Sequence, residues 1–399
     1  MSKELLDASR LKPEFFTRER TLPFPTVLTF LLSGLQSAVQ SELDRFFANL
    51  RNRADSIRVV SAQAFSQARY KISALVFVDI NQCLMARVEE HLPLPRWRGL
   101  RLVAADGSKV RLTVMINEVR TIVEGMAFGL FLPGSELFLD FALHEPVCDE
   151  RQMLFEAIEA LRPDDLLLLD RGFPCRWLVS ALTARSIPFC IRCDSSHGFK
   201  VVRAFLASGR AQQIVTLPRP AARDAADYEC PATPTTVRLI RVVTPNAQIH
   251  VVMTSLLDDS AYPAADFARL YHGRWRVEEA FKRLKHRLAL EHTSGLSWHA
   301  ARQDFGAKAL CDNLNALAAW VATDAHLDPD SPYLINRTQA FDKIKRQIGR
   351  WLLAATATTR RVKILLNELA LNLQRFVPDR HQPRPQRPKP HLFHAYKAT

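Results

Sequence analysis

Two short apolar runs, GLRLVAAD at 99–106 and LLLLD at 166–170, each stop at an aspartate, with a glycine one or two residues further on. Runs this short and this apolar suit strands covered on both faces. Their neighbours fit the same picture. SKVRLTVM (108–115), GMAFGLFLPG (125–134) and LFLDFALHE (137–145) read as strands, with Gly107 as a turn residue. DERQMLFEAIEALRPDD (149–165) and CRWLVSALTARS (175–186) have helical periodicity, and IPFCIRCD (187–194) returns to strand. Hairpin strands followed by strand, helix and strand define an α/β domain whose mixed sheet is covered by helices.

The rest of the chain divides around that core. Residues 1–98 read as a helical domain; there Ser61 is placed to cap a helix beginning at Ala62, and the proline-rich link His91–Trp97 closes the region. The core occupies 99–200 and resumes over 261–325, after a β-rich insertion at 201–260. C-terminal helices follow over 326–378, and 379–399 is a basic, proline-rich tail. The formal charge of +13 and pI near 9.7 favour a polyanionic partner. Seven scattered cysteines, two of them in a lone CxxC at 190–193, fit reduced thiols. The N-terminus lacks the order of a signal peptide, and the apolar run Val27–Val39 is too short to span a bilayer. The expectation is a cytoplasmic protein with no membrane partner.

Asp106 and Asp170 share a setting at the ends of their strands, where open α/β sheets gather function. Each can be read as a turn cap. Side by side they would repel, and a divalent cation would relieve both. A third carboxylate lies in YHGRWRVEEAFKRLK (271–285), where helical spacing puts Tyr271, Arg274, Glu278 and Lys285 on one face. Glu278 reads either as an ion-paired residue on a wet face or as the third member of an Asp–Asp–Glu cluster. Three carboxylates suit Mg²⁺ or Mn²⁺. Two such ions about 3.5–4 Å apart clamp the attacking and leaving oxygens of a phosphodiester. Arg274 and Lys285 would hold phosphates, and Tyr271 a phosphate or a sugar. Arg171 reads as a further phosphate contact or a surface cation, and Trp275 as a stacking surface or a core residue. Arg69 and Lys71, on the basic segment SAQAFSQARYKI (61–72), are candidates for reading DNA ends.

Asp106 in VAADGS, Asp170 in LLLLDRGF and Glu278 in the basic stretch together resemble the DDE triad of bacterial cut-and-paste transposases. Tyr271, Arg274, Glu278 and Lys285 match the Y-x2-R-x3-E-x6-K signature of the insertion sequence four family. The resemblance implies a ribonuclease H-like fold and catalysis by two Mg²⁺ or Mn²⁺ ions held by the triad. It also implies binding to terminal inverted repeats and target DNA, a homodimer in the synaptic complex, and association with the nucleoid when DNA is bound. Strand cleavage, a hairpin intermediate and strand transfer would follow. The alternatives are a metal-dependent DNA nuclease that does not join strands and a DNA-binding relative without catalysis.

Overall fold

The computed structural model describes residues 2–18, 20–146, 148–194, 199–243, 248–328, 330–353 and 358–375. Five helices come first: α1 (Lys3–Ser9), α2 (Phe24–Leu32), α3 (Val39–Leu50), α4 (Ala62–Arg69) and α5 (Val76–His91). The strands β1 (Arg96–Trp97), β2 (Leu100–Ile116), β3 (Val119–Leu132) and β4 (Leu137–His144) follow. Then α6 (Glu150–Glu156), β5 (Asp165–Leu169), α7 (Arg176–Ala184) and β6 (Phe189–Cys193) alternate. Next come α8 (Lys200–Ala207), β7 (Gln212–Leu217), α9 (Ala222–Asp227), β8 (Thr235–Val243) and β9 (Ile249–Thr254). Helices α10 (Phe267–His272), α11 (Trp275–His286) and α12 (Trp298–His326) lead to the short strand β10 (Tyr333–Ile335). Helices α13 (Arg337–Leu353) and α14 (Thr358–Ala370) and the strand β11 (Leu373–Arg375) complete the described chain. The basic tail expected at 379–399 lies outside the described residues. No helix among the described residues is long and apolar enough to cross a membrane.

The chain forms two compact units. One comprises Met1–Cys83, Val110–Gly125 and Lys282–Thr399; the other comprises Leu84–Lys109 and Met126–Phe281. The second unit holds the body of a mixed sheet in the order β4-β3-β2-β5-β6-β9-β8-β7, with β1 paired to β2. β2, β5 and β6 run parallel, whereas β3 pairs β4 antiparallel and β9 pairs both β6 and β8 antiparallel. Helical regions precede and follow this sheet in the chain, so the architecture is a ribonuclease H-like core with helical extensions.

Two local expectations change. Asp106 does not end its strand: β2 continues through Gly107 and Ser108 to Ile116 as one element of 17 residues. Glycine here supplies the absence of a Cβ rather than a turn, because a Cβ at Gly107 would lie 2.5 Å from Glu150 Oε1. The 201–260 segment carries the three strands read there and also α8 and α9. Its strands extend the central sheet, since β9 satisfies the open edge of β6 through pairs such as Cys190 with Thr254.

A buried ion pair fixes the register of β2 on β5. Arg101, 3% exposed, donates from Nε to Asp165 Oδ1 at 2.6 Å and from Nη2 to Asp165 Oδ2 at 2.9 Å; Asp165 is fully buried. Glu89 also accepts from Arg101. The fork pairs residues 64 apart, and the same offset runs along the ladder to Ala104 opposite Leu168.

In the first unit, α12 is the central helix, with most of its first half buried. Ser61 caps α4 as its sequence implies, accepting from the Ala64 amide at 3.1 Å. Arg69 at the end of α4 is 3% exposed and donates to Gln303 Oε1, the Ala300 carbonyl, Asp304 Oδ1 and Ser294 Oγ.

Removing one partner of a buried, bidentate pair strands the other charge. Arg101→Ala is therefore expected to lower stability by about 3–5 kcal/mol, read as a fall in the urea midpoint. An unchanged midpoint would remove this pair from the forces holding the sheet.

Candidate active site

Asp106 and Asp170 come level because the register makes them so. The ladder offset that sets Ala104 against Leu168 is also the interval between the two aspartates, each two residues further along. Asp170 immediately follows β5 and closes a tight turn, its Oδ1 accepting from the Gly172 amide at 2.7 Å. Arg151 Nε donates to the Gly172 carbonyl at 2.9 Å and so ties the start of α6 to that turn.

Glu278 arrives from α11. The signature stretch is not one continuous helix: α10 ends at His272, Gly273 and Arg274 form a turn, and α11 begins at Trp275. Glycine is a poor helix former, and here successive amides bond three residues back, Gly273 to Leu270, Arg274 to Tyr271 and Arg276 to Gly273. These tighter bonds interrupt the helix without reversing its direction. α11 packs on the sheet through Phe281, whose ring meets Phe138 edge-on at 5.8 Å. Gly129 opens the space for this contact, since a Cβ there would lie 2.8 Å from Phe138 and 3.5 Å from Phe281. Tyr271 is buried, and its hydroxyl donates to the Leu169 carbonyl at 3.2 Å. It therefore anchors α10 to the residue before Asp170, which corrects its expected role as a phosphate or sugar contact. Burial raises its pKa.

Arg274 is a buried cation in this group, and Arg151 acts on Glu150 as well. Arg274 is 4% exposed, and Nη2 donates to Glu278 Oε1 at 2.5 Å. Its Nε and Nη1 are buried with no acceptor. Burial pushes the Asp106 carboxyl up to about 7, opposed by Arg274 and reinforced by Glu278, Glu150 and Asp170. Glu150 is raised as well, by burial first and then by Asp170 and Asp149. The triad expected from sequence thus shares one electrostatic neighbourhood within one unit, and Glu150 joins it. Sequence reading missed Glu150 because an acidic residue in the first turn of a helix is usual, and Asp149 already caps α6.

The other expected contacts separate. Arg171 is exposed in the turn after Asp170, and Trp275 is 48% exposed with the Arg274 guanidinium 5.6 Å from its ring. Lys285 lies in the last turn of α11, among residues grouped with the other unit. Lys71 sits 5.6 Å over the Phe15 ring and lines a cavity of ≈ 430 Å³ with Arg18, Arg20 and Gln67. Arg69 is corrected: its guanidinium is enclosed by α12 side chains and Ser294, so it holds the fold together and has no free donor face for DNA.

Among the described residues, no group of three or more His, Cys, Asp or Glu side chains is set to hold a metal ion. The donor chemistry nonetheless fits one. All four acids offer oxygen, the preference of Mg²⁺ and Mn²⁺, and the causes acting on Asp106 and Glu150 are burial and charges, with no hydrogen bond to either carboxylate. A cation would answer both repulsion and burial.

Residues 126–314 match the family model described as a transposase DDE domain. The match includes Asp170, Tyr271, Arg274, Glu278 and Lys285; Asp106 precedes it. Seven chains of solved structures match. One comes from the cryo-EM structure of the piggyBac transposase synaptic complex with hairpin DNA. It is 9% identical, covers 92% of this chain and 80% of that chain, and has a TM-score of 0.42. No curated protein matches the sequence significantly.

The raised Asp106 carboxyl makes stability depend on pH. Between its ordinary value of 3.8 and about 7, the folded protein keeps a proton that the unfolded chain has released. Metal-free stability therefore falls as pH rises through this window. Asp106→Asn is expected to stabilise the protein in EDTA, by on the order of 2 kcal/mol more at about pH 8 than at about pH 5. Equal gains at both pH values in chemical denaturation would refute the burial of this charge.

Proposed function

We propose that the protein is a metal-dependent DNA transposase that cuts at the ends of its element and joins them to target DNA. The observation that carries this reading is that Asp106 interacts with both Asp170 and Glu278, and that the buried Arg274 beside it holds Glu278, on a ribonuclease H-like sheet. The transposase DDE match over 126–314 supports the same class of chemistry.

In this reading the triad holds two divalent cations, Mg²⁺ or Mn²⁺, which supply charge neutralisation at the attacking and leaving oxygens of a phosphodiester. The chain's own groups do the positioning. Arg274 has two nitrogens, Nε and Nη1, without acceptors, suited to a non-bridging phosphate oxygen. Tyr271 keeps the Glu278 helix tied to the end of β5 through Leu169. Arg171 and Trp275 extend the DNA contact within the same unit, and Lys285 and Lys71 are DNA contacts belonging to the other unit.

In the first cut, water attacks phosphorus and the bond to the 3′ oxygen breaks, leaving a 5′-phosphate and a 3′-hydroxyl. The 3′-hydroxyl then attacks the opposite strand, giving a hairpin that water reopens. In the joining step the freed 3′-hydroxyl attacks a target phosphodiester, displacing the target's own 3′ oxygen. Each transfer exchanges one phosphorus–oxygen bond for another. The DNA partner is double-stranded, with inverted-repeat ends, and two copies of the chain pair those ends.

The test is purified protein with DNA carrying the ends that flank its own coding element, in Mg²⁺, followed by sequencing of the products. Cut ends joined to target support the reading. Cutting without joining would make the protein a nuclease, and binding without cutting a non-catalytic relative. Asp106→Asn, Asp170→Asn and Glu278→Gln are expected to lower cleavage about a thousand-fold or more while retaining most DNA affinity in a gel-shift assay. Lys285→Ala is expected to weaken binding and to reduce the salt slope by about one; an unchanged slope would take Lys285 out of the phosphate contacts.

A further inference from the structure

The acids beside Asp170 number more than the triad. Glu150, the first residue of α6, approaches both Gly107 within β2 and Gly172 in the turn after β5. A Cβ built at Gly107, next to Asp106, would lie 2.5 Å from Glu150 Oε1. A Cβ built at Gly172 would lie 3.1 Å from Asp170 Oδ1 and 3.6 Å from Glu150 Oε2. The Glu150 and Asp170 carboxylates thus face the same small space, and two glycines leave room for them.

This approach is held rather than incidental. Arg151 ties α6 to the Gly172 carbonyl, and the Gly172 amide in turn holds Asp170. Yet among the described residues no donor is hydrogen-bonded to the Glu150 carboxylate. Two carboxylates pinned this close, one without a donor, are unfavourable unless a cation comes between them.

A second feature marks the same neighbourhood as built for a ligand. Arg274, 4% exposed, couples electrostatically to Asp106, Glu278 and Glu150 and keeps Nε and Nη1 without acceptors. Its Nη2 already holds Glu278. The remaining donors fit the oxygens of an anion that enters together with a cation, as a phosphodiester does with divalent ions.

We propose that Glu150 is a fourth carboxylate ligand, sharing a divalent cation with Asp170. The inference rests on the transposase reading of the same site. Glu150 enlarges the ligand set on the Asp170 side, so that Glu278 can remain paired with Arg274 until DNA arrives. Gly107 then has a defined part, because any side chain there would displace the Glu150 carboxylate from the ion.

The test is Mn²⁺ binding to the purified full chain, followed by the electron paramagnetic resonance signal of the free ion. Wild type is compared with Glu150→Gln, Gly107→Ala, Asp170→Asn and Asp106→Asn, each checked for its fold by circular dichroism. Glu150→Gln removes only a charge that no hydrogen bond depends on, and Gly107→Ala keeps the charge but moves it. Both are expected to weaken Mn²⁺ binding about ten-fold or more, as Asp170→Asn does. Wild-type affinity in Glu150→Gln, with loss in Asp170→Asn, would overturn the role of Glu150 and leave the transposase reading standing. Wild-type affinity in all four variants, or no Mn²⁺ uptake by wild type, would overturn both.

Discussion

The Arg101–Asp165 ion pair determines where the chemistry can form. A parallel pair of strands with continuous apolar faces has little in its pattern to fix register. A slip of one residue would keep leucines against alanines and still bury them. It would also pull a fully buried aspartate from its only bidentate partner, leaving an unpaired charge in the core. That cost selects one offset, and the offset carries five residues further to bring Asp106 level with Asp170. The pair at one end of the ladder thus fixes the spacing of the acids at the other.

What the register assembles is unfavourable by itself. Glu278, Glu150 and Asp170 each repel Asp106, and Asp170 repels Glu150. Arg274, and at Glu150 also Arg151, offset only part of this, so that burial first and the neighbouring acids next raise the Asp106 and Glu150 carboxyls. Arg274 is itself incompletely satisfied, with two donors idle. Excess negative charge beside idle donors is the local condition expected of a site that completes itself with cations and a phosphate.

Sequence makes the apolar strands legible because an apolar run is a local signal, and the spaced motif marks a helical stretch, although β2 runs on past Asp106. It misled where the deciding partner is remote. Arg69 sits in a basic segment and reads as a DNA contact, but its ion-pair partner Asp304 is 235 residues away and encloses it. Gly107 reads as a turn because glycine usually permits one; here it stays in the strand and clears space for a side chain from α6. Glu150 looks like any acid in a first helical turn, and only its distance to Gly107 and Gly172 separates it from that background. Lys71, by contrast, stays at a cavity edge beside Phe15.

The break between α10 and α11 explains why the signature residues have their spacing. Tyr271, in the last turn of one helix, bonds to the last residue of β5. Arg274 occupies the turn that Gly273 permits, and Glu278 begins one helical turn later, within reach of the guanidinium. Each residue locates the next: sheet to Tyr271, Tyr271 to the turn, Arg274 to Glu278. Two of the four side chains therefore act as supports before they act on any ligand. A carboxylate on a long helix would otherwise keep several rotamers. Held by a buried arginine, Glu278 is restricted before a cation is present, and the entropy of ordering it is largely met on folding. The same support makes the helix position, rather than the charge of Glu278 alone, the quantity on which the site depends.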